Sequence, residues 1–289
     1  MQNKEFKNFW DELKPLWQAN IRHGLGNEYS LRGKVPASFD EFDKVTHLTL
    51  SESQELFLLA YFKNLKYLSL SGIKTLEEMT PLSSVYTLRE LNLANTNISD
   101  ISFLKPLINL RKLTISLTPV SNISVLPELP ALTFLDISDT SLDSWQPLSD
   151  CKKLKELYVR NSKNVDIKIL GSLTKLQILN INNVVFENFD FLENLSKLEF
   201  ISFGGAKLGI PYNTNISNDY TPLKKLPKLE QISCTHGIFE EIKSWFDRPM
   251  YYNVSFKGIP GNEWVVENGE LYRLSDYTKM LSQRKKQLK

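Results

Sequence analysis

Cysteine and histidine are scarce in this sequence: 289 residues contain two cysteines and three histidines. His23, His47 and His236 lie so far apart in the chain that no common metal site is expected, and no Cys/His zinc spacing occurs. There is no Gly-rich phosphate loop and no G-x-S-x-G elbow; Gly204-Gly205 fits neither phosphate motif. Carboxylates such as Asp136, Asp139 and Glu156 are plentiful, but without a pocket to shift their pKa they read as solvated charge. One-sided charge is missing too. With 35 basic and 33 acidic side chains the formal charge is +2, which argues against a dedicated nucleic-acid binder. No apolar run reaches the roughly 18 residues of a membrane span, and the first 25 residues lack the apolar segment of a secretion signal. No metal, cofactor, membrane or nucleic-acid partner is expected.

What the chain has in abundance is leucine at a fixed interval. The pattern Leu-x-x-Leu-x-Leu, with Ile, Val or Phe as substitutes, starts at Leu88, Leu110, Leu132, Leu154, Leu176 and Leu198, each 22 residues after the last. Within a unit the apolar positions are 1, 4, 6, 11, 14, 17 and 20, as in Leu88, Leu91, Leu93, Ile98, Ile101, Leu104 and Leu107. The two-residue step from 4 to 6 predicts a short strand, and the steps of three predict a tight return with three residues per turn. A unit this small cannot enclose a core, so the units must stack and share one. Val45-Leu48-Leu50, Leu65-Leu68-Leu70 and Leu229-Ile232-Cys234 extend the register to nine strands. Cys151 and Cys234 fall at apolar positions, which predicts two buried free thiols rather than a disulfide.

These repeats, for example LRELNLANTNISDISFLKPL at 88–107, resemble the leucine-rich repeat family, specifically the 22-residue class of bacterial internalins, over roughly residues 45–245. The resemblance implies an α/β solenoid: a curved horseshoe with a parallel β-sheet on the concave face and short 3-10 turns on the convex side. Family members often carry Asn at position 9. Here Thr96, Thr118, Thr140 and Ser162 stand there, whose hydroxyls can serve the same local role, and Val184 and Ala206 follow, which cannot. The polar ladder is therefore expected to stop after the sixth strand.

A solenoid needs both ends covered. The expected organisation is a helical cap over 1–44, repeats over 45–245 and a second cap over 246–289. Phe6, Phe9, Trp10, Leu13, Trp17 and Ile21 have helical spacing, with Pro15 placed to break the helix. The stretch 261–274 reads as two strands around Asn268-Gly269, a hairpin that with 251–258 would form a small closing sheet. The final Lys279, Arg284, Lys285, Lys286 and Lys289 read as a solvated helix or frayed tail. An insertion within 204–222 is expected to project as a loop carrying Tyr212 and Tyr220.

Strand alternation turns positions 4 and 6 inward and sends 3, 5 and 7 to the concave face. Most outward residues are small and polar. The exceptions gather on the fifth to eighth strands: Phe134, Tyr158, Arg160, Ile178 and Phe200, with Asp136 and Glu156. Aromatic residues and Arg most often carry binding energy at protein interfaces, so these seven form the expected partner-binding set, with Tyr67, Tyr212 and Tyr220 as secondary candidates. Nine strands span roughly 38 Å, a size suited to a protein ligand.

With about 45 residues outside the repeats at each end, no catalytic domain is expected. The sequence predicts a non-enzyme, a monomer when free, that binds a protein partner in the cytoplasm. An inhibitor or toxin-neutralising immunity protein leads, which rests on the resemblance. The alternatives are an effector or adhesin binding a host protein, exported without a signal peptide, and a regulatory subunit of an enzyme.

Overall fold

In a computed structural model of the protein, the described residues are 2–13, 15–25, 36–50, 56–76, 78–186, 188–204, 219–256, 259–267 and 270–287. The chain divides into two compact units, Met1–Lys153 and Leu154–Lys289.

The first unit begins with α1 (Gln2–Glu12) and α2 (Pro15–Leu25), separated where Pro15 lacks the N–H a continuing helix would need. Phe6, Trp10, Leu13, Trp17 and Ile21 are all buried. Their rings pack with those of the following segment: Phe6 meets Phe39 edge-on at 4.9 Å, and Trp17 stacks on Phe62 at 6.5 Å. Each such ring removes enough apolar surface from water to contribute about 1.5–3 kcal/mol, so these helices are seated on the repeats. Gly24 permits the seating of α2 against the first strand, since a Cβ there would lie 2.6 Å from Val45 Cγ1 and 2.9 Å from the His47 carbonyl.

Then come β1 (His47–Thr49), β2 (Tyr67–Ser69), β3 (Glu90–Asn92), β4 (Lys112–Thr114) and β5 (Phe134–Asp136), paired in parallel. Register follows the repeat: Leu48, Leu68, Leu91, Leu113 and Leu135, all at position 4, face one another across the strands and are at most 2% exposed. Position 8 bends the chain out of the sheet. Gly72, Asn95, Leu117 and Asp139 all have positive φ, from 57° to 81°. The hydroxyls of Thr96, Thr118 and Thr140 donate to the carbonyls of Leu93, Ile115 and Ile137 at 2.8, 2.6 and 2.6 Å, fastening the turn from inside. Each repeat returns through a 3-10 segment, such as Ser102–Leu104 or Leu126–Glu128.

The second unit holds β6 (Glu156–Tyr158), α3 (Ile167–Gly171), β7 (Ile178–Asn180), β8 (Phe200–Ser202), α4 (Thr221–Lys224) and β9 (Gln231–Thr235). α3 departs from the expected 3-10 return. Asp166 caps it, its carboxylate accepting from Lys168 N at 3.1 Å and Ile169 N at 3.4 Å, and a capped turn favours the α form. Asn161 and Asn183 hold the left-handed position 8 here. Val184, at position 9, is buried and brings no hydroxyl, so the hydroxyl ladder ends before it as expected.

After α5 (His236–Ile242) the chain returns as β10 (Met250–Phe256), which pairs in parallel with β9. β11 (Ile259–Glu267) and β12 (Glu270–Arg273) follow antiparallel. The expected small closing sheet is thus a continuation of the repeat sheet, because α5 acts as a crossover that lets β10 join β9. Asn268 and Gly269, the expected turn, lie outside the described residues. α6 (Leu274–Gln287) carries the basic terminal segment as a helix, the first of the two expected alternatives, and its opening turns are docked; residues 288–289 lie outside the described residues. Tyr277 is 3% exposed, meets Tyr251 and Tyr272 at 6.4 and 5.8 Å, and donates to Glu267 Oε1 at 3.2 Å.

Candidate functional site

The candidate residues divide between the two units, and each set is built by its own strands. In the first unit Tyr67, Glu90, Lys112 and Phe134 stand in register at position 3, on the face opposite the buried leucines. His47 stacks on Tyr67 at 5.8 Å, and Lys112 Nζ lies 3.2 Å from Glu90 Oε1. Phe134 and Asp136 flank Leu135 on the outer face of β5, and both are half-buried. Asp136 also serves the fold, since its Oδ1 accepts the Ser138 N–H at 3.0 Å. Asn92 does the same for Ala94 at 3.0 Å, and Asn180 for Asn182 at 3.1 Å. In β3, β5 and β7 position 5 thus folds back on position 7 and ends the strand in an Asx turn.

The strand ends correct the expected alternation at position 7. Strands β1–β8 stop at position 5, so position 7 is no longer bound to the outer face. Ser138 is 5% exposed and Gly204 is buried, a Cβ on Gly204 meeting Cys234 Cα at 2.7 Å. Ser69 and Ser202, at position 5, are buried as well.

In the second unit Glu156, Ile178, Phe200 and Gln231 align at position 3, with Tyr158, Asn180, Ser202 and Ser233 at position 5. Glu156, Tyr158, Ile178 and Phe200 are half-buried, while Arg160, beyond the end of β6, is exposed. Ile178 and Phe200 are directly paired across β7 and β8. The Ser202 hydroxyl donates to Asn182 Oδ1 at 2.9 Å, and Asn183 Nδ2 to Asn161 Oδ1 at 2.6 Å, so adjoining repeats are tied by polar side chains. On the last strands the same face is closed. Tyr251, in register with Gln231, pairs with Val265 and Val265 with Tyr272, and Val265 is 0% exposed beneath α6.

Two secondary candidates change status. Tyr220 is 5% exposed and packs its ring on Phe189 and Phe203 at 5.5 and 6.3 Å, so it anchors the end of the insertion and presents nothing to a partner. Burial also raises its phenol pKa. Tyr212, with the rest of 205–218, lies outside the described residues. Both thiols are free and buried, as the register implied, and burial pushes each from about 9 to about 12. Among the described residues no three His, Cys, Asp or Glu side chains converge on a metal-sized site, and no helix there is long and apolar enough to cross a membrane.

Positional reading had not singled out the exposed Tyr86, Ile108 and Leu117, at 57, 55 and 52% exposure. Tyr86 and Ile108 fall at variable positions of the repeat and Leu117 at the position-8 bend, where no periodic pattern flags an apolar residue.

Short parallel strands in 22-residue register, position-8 bends and 3-10 returns define a leucine-rich-repeat solenoid. The structure is similar to that of an internalin C2 from Listeria monocytogenes, with 22% sequence identity and a TM-score of 0.54 over 65% of this chain and 92% of that one. It is also similar to a second internalin of that organism, inlF, at 20% identity and a TM-score of 0.54 over 83% of this chain and 71% of that one. A leucine-rich-repeat protein of Leptospira interrogans matches at 19% identity and a TM-score of 0.58, over 67% of this chain and 50% of that one. No family model matches the chain, and no curated protein matches its sequence. At these identities the likeness is one of fold.

Proposed function

We propose that the chain is a non-catalytic scaffold that binds a protein through the outer face of its repeat sheet, acting as an intracellular inhibitor or toxin-neutralising immunity protein. The observation that carries this reading is the directly paired Ile178 and Phe200, set with Tyr158 on the face opposite the core. The fold gains little from large apolar side chains there. The corresponding positions of β3 and β4 are filled by Glu90, Asn92, Lys112 and Thr114, and the strands still form. Glu156 and Arg160 border the apolar group with both charge signs, which suits a protein surface. Phe134 and Asp136 are the counterpart in the first unit, and Tyr67 is held there by its stack with His47.

Affinity capture tests the reading, with wild type compared against Tyr158→Ser combined with Phe200→Ser, and separately against Phe134→Ser. The expected result is one protein retained by wild type and lost from the double variant. Its identity separates toxin neutralisation from regulation of a cellular enzyme. Retention only from the lysate of another organism favours the exported factor, a reading to which the similarity to internalins lends weight. A partner retained equally by all variants removes the outer face from consideration.

A further inference from the structure

We propose a second interaction surface on the first unit, formed where the chain enters β2, β3 and β4, that takes an acidic segment of a protein partner carrying apolar side chains. Lys66, Arg89 and Arg111 each stand one residue before a strand and are stacked by the backbone: Arg89 N donates to the Lys66 carbonyl at 2.8 Å, and Arg111 N to the Arg89 carbonyl at 2.7 Å. Three cations therefore lie on consecutive repeats, about 4.8 Å apart at the backbone.

Three lysines near the row are paired. Lys63 pairs with Asp43 at 3.8 Å, Lys105 with Glu128 at 2.8 Å and Lys112 with Glu90 at 3.2 Å. Among the described residues Lys66, Arg89 and Arg111 have no such partner. Like charges side by side on neighbouring strands disfavour the fold, so the fold does not account for the row.

A second, independent feature lies close by in the chain. Tyr86 and Ile108 stand three residues before Arg89 and Arg111 and are more than half exposed. The turns that carry them are held rigid. Thr87 Oγ1 donates to the Leu65 carbonyl at 2.9 Å, Asn109 Nδ2 to the Tyr86 carbonyl at 3.0 Å, and Thr133 Oγ1 to the Arg111 carbonyl at 3.2 Å. The surface is thus preorganised, which lowers the entropy lost on binding. Tyr and Arg, the types most often dominant at interfaces, occur together on it.

Charge complementarity calls for carboxylates. The apolar pair calls for a partner with apolar side chains between them, which a phosphate backbone does not offer; three cations on a chain of net charge +2 also fall short of a nucleic-acid footprint. This surface rests on the reading of the chain as a protein binder but uses none of the outer-face residues.

The test uses the full chain and a fluorescein-labelled peptide of alternating Glu and Leu, followed by anisotropy at low and at high salt. A Lys-for-Glu peptide and a single-stranded oligonucleotide of equal negative charge serve as comparisons. The Glu-Leu peptide is expected to bind, more weakly at high salt, and the Lys peptide not to bind. Arg89→Glu with Arg111→Glu should weaken it about tenfold or more, and Tyr86→Ser with Ile108→Ser severalfold. Arg89→Gln with Arg111→Gln gives an intermediate loss and guards against misfolding of the reversal. Absence of binding, equal binding by the charge variants, or tighter binding of the oligonucleotide overturns the proposal. Loss from Tyr158→Ser with Phe200→Ser, but not from the arginine variants, overturns this surface and leaves the outer-face reading standing.

Discussion

Asp136 turns its carboxylate back onto its own chain, where Oδ1 accepts the Ser138 N–H at 3.0 Å. The sequence marks Asp136 as a partner-binding carboxylate, yet Asn92 and Asn180 occupy the same position and make the same bond without a charge. The bond and the charge can therefore be separated. Asp136→Asn should leave the urea midpoint nearly unchanged, whereas Asp136→Ala should lower stability by about 1 kcal/mol, the net value of one lost hydrogen bond. A binding defect in Asp136→Asn alone would assign the charge to the partner; a large stability loss in that variant would show that the turn needs more than an acceptor.

Leu117 occupies a bend that its neighbours fill with residues suited to it. Its φ is 57°, beside 58° at Asn95 and Asp139, but its side chain has no polar atom to compensate the left-handed backbone and is 52% exposed. Left-handed geometry costs an ordinary residue about 1–2 kcal/mol. Leu117→Asn is expected to raise stability by about 0.5–1 kcal/mol, read as an upward shift in melting temperature. An unchanged or lowered midpoint would mean that packing around Leu117 offsets the backbone cost.

The apolar period was legible because burial recurs with it: every position-4 leucine of β1–β5 is buried in register. The position-8 bends left a fainter mark, Gly72, Asn95, Asp139, Asn161 and Asn183, which a search for hydrophobic spacing passes over. The outer-face set could be placed on strands by counting, but alternation does not encode the strand end at position 5, which β3, β5 and β7 fasten with a side-chain bond. Tyr220 was misplaced for a different reason. Its contacts with Phe189 and Phe203 bridge residues far apart in sequence, and a tyrosine beside an insertion reads as exposed until those rings are seen.

Trp145 carries a buried donor with no acceptor among the described residues; the ring is 4% exposed and Nε1 makes no hydrogen bond. An unsatisfied buried N–H costs about 1–3 kcal/mol, which offsets part of what the indole gains by packing. Trp145→Phe should consequently stay within about 1 kcal/mol of wild type, while Trp145→Ala should lose about 3–5 kcal/mol. A Phe variant as damaged as the Ala variant would point to an ordered water satisfying the indole.

Cys151 and Cys234 link stability to alkaline pH. Burial lifts each thiol from about 9 to about 12, Cys151 also feeling the adjacent Asp150. Since the folded pKa lies above the unfolded one, the thiols' contribution is fully present below about 9 and is lost as pH rises through 12. Native protein should resist iodoacetamide near neutral pH and react fully in urea, and the Cys234→Ala variant should show a shallower alkaline loss of stability. Rapid native alkylation would contradict the burial.

Two glycines of the second unit should answer the same substitution with opposite signs. At Gly204 a new Cβ would sit 2.7 Å from the Cα and carbonyl carbon of Cys234 and 2.9 Å from Thr235 N. All three are main-chain atoms of the neighbouring strand, so relief requires β8 and β9 to separate just beyond Ser202, where Phe203 N donates to the Ser233 carbonyl at 3.0 Å. Gly204→Ala should therefore cost about 1–3 kcal/mol, the usual range for overpacking a filled site. At Gly237, in the first turn of α5, nothing lies within 4 Å of the added carbon. Gly237→Ala removes backbone freedom from the unfolded chain without a clash and should stabilise by about 0.5 kcal/mol. Urea titrations of both variants followed by far-UV dichroism give the comparison. A neutral Gly204→Ala would mean that the strands after β8 can part at little cost, and the close approach would then be incidental to the sheet.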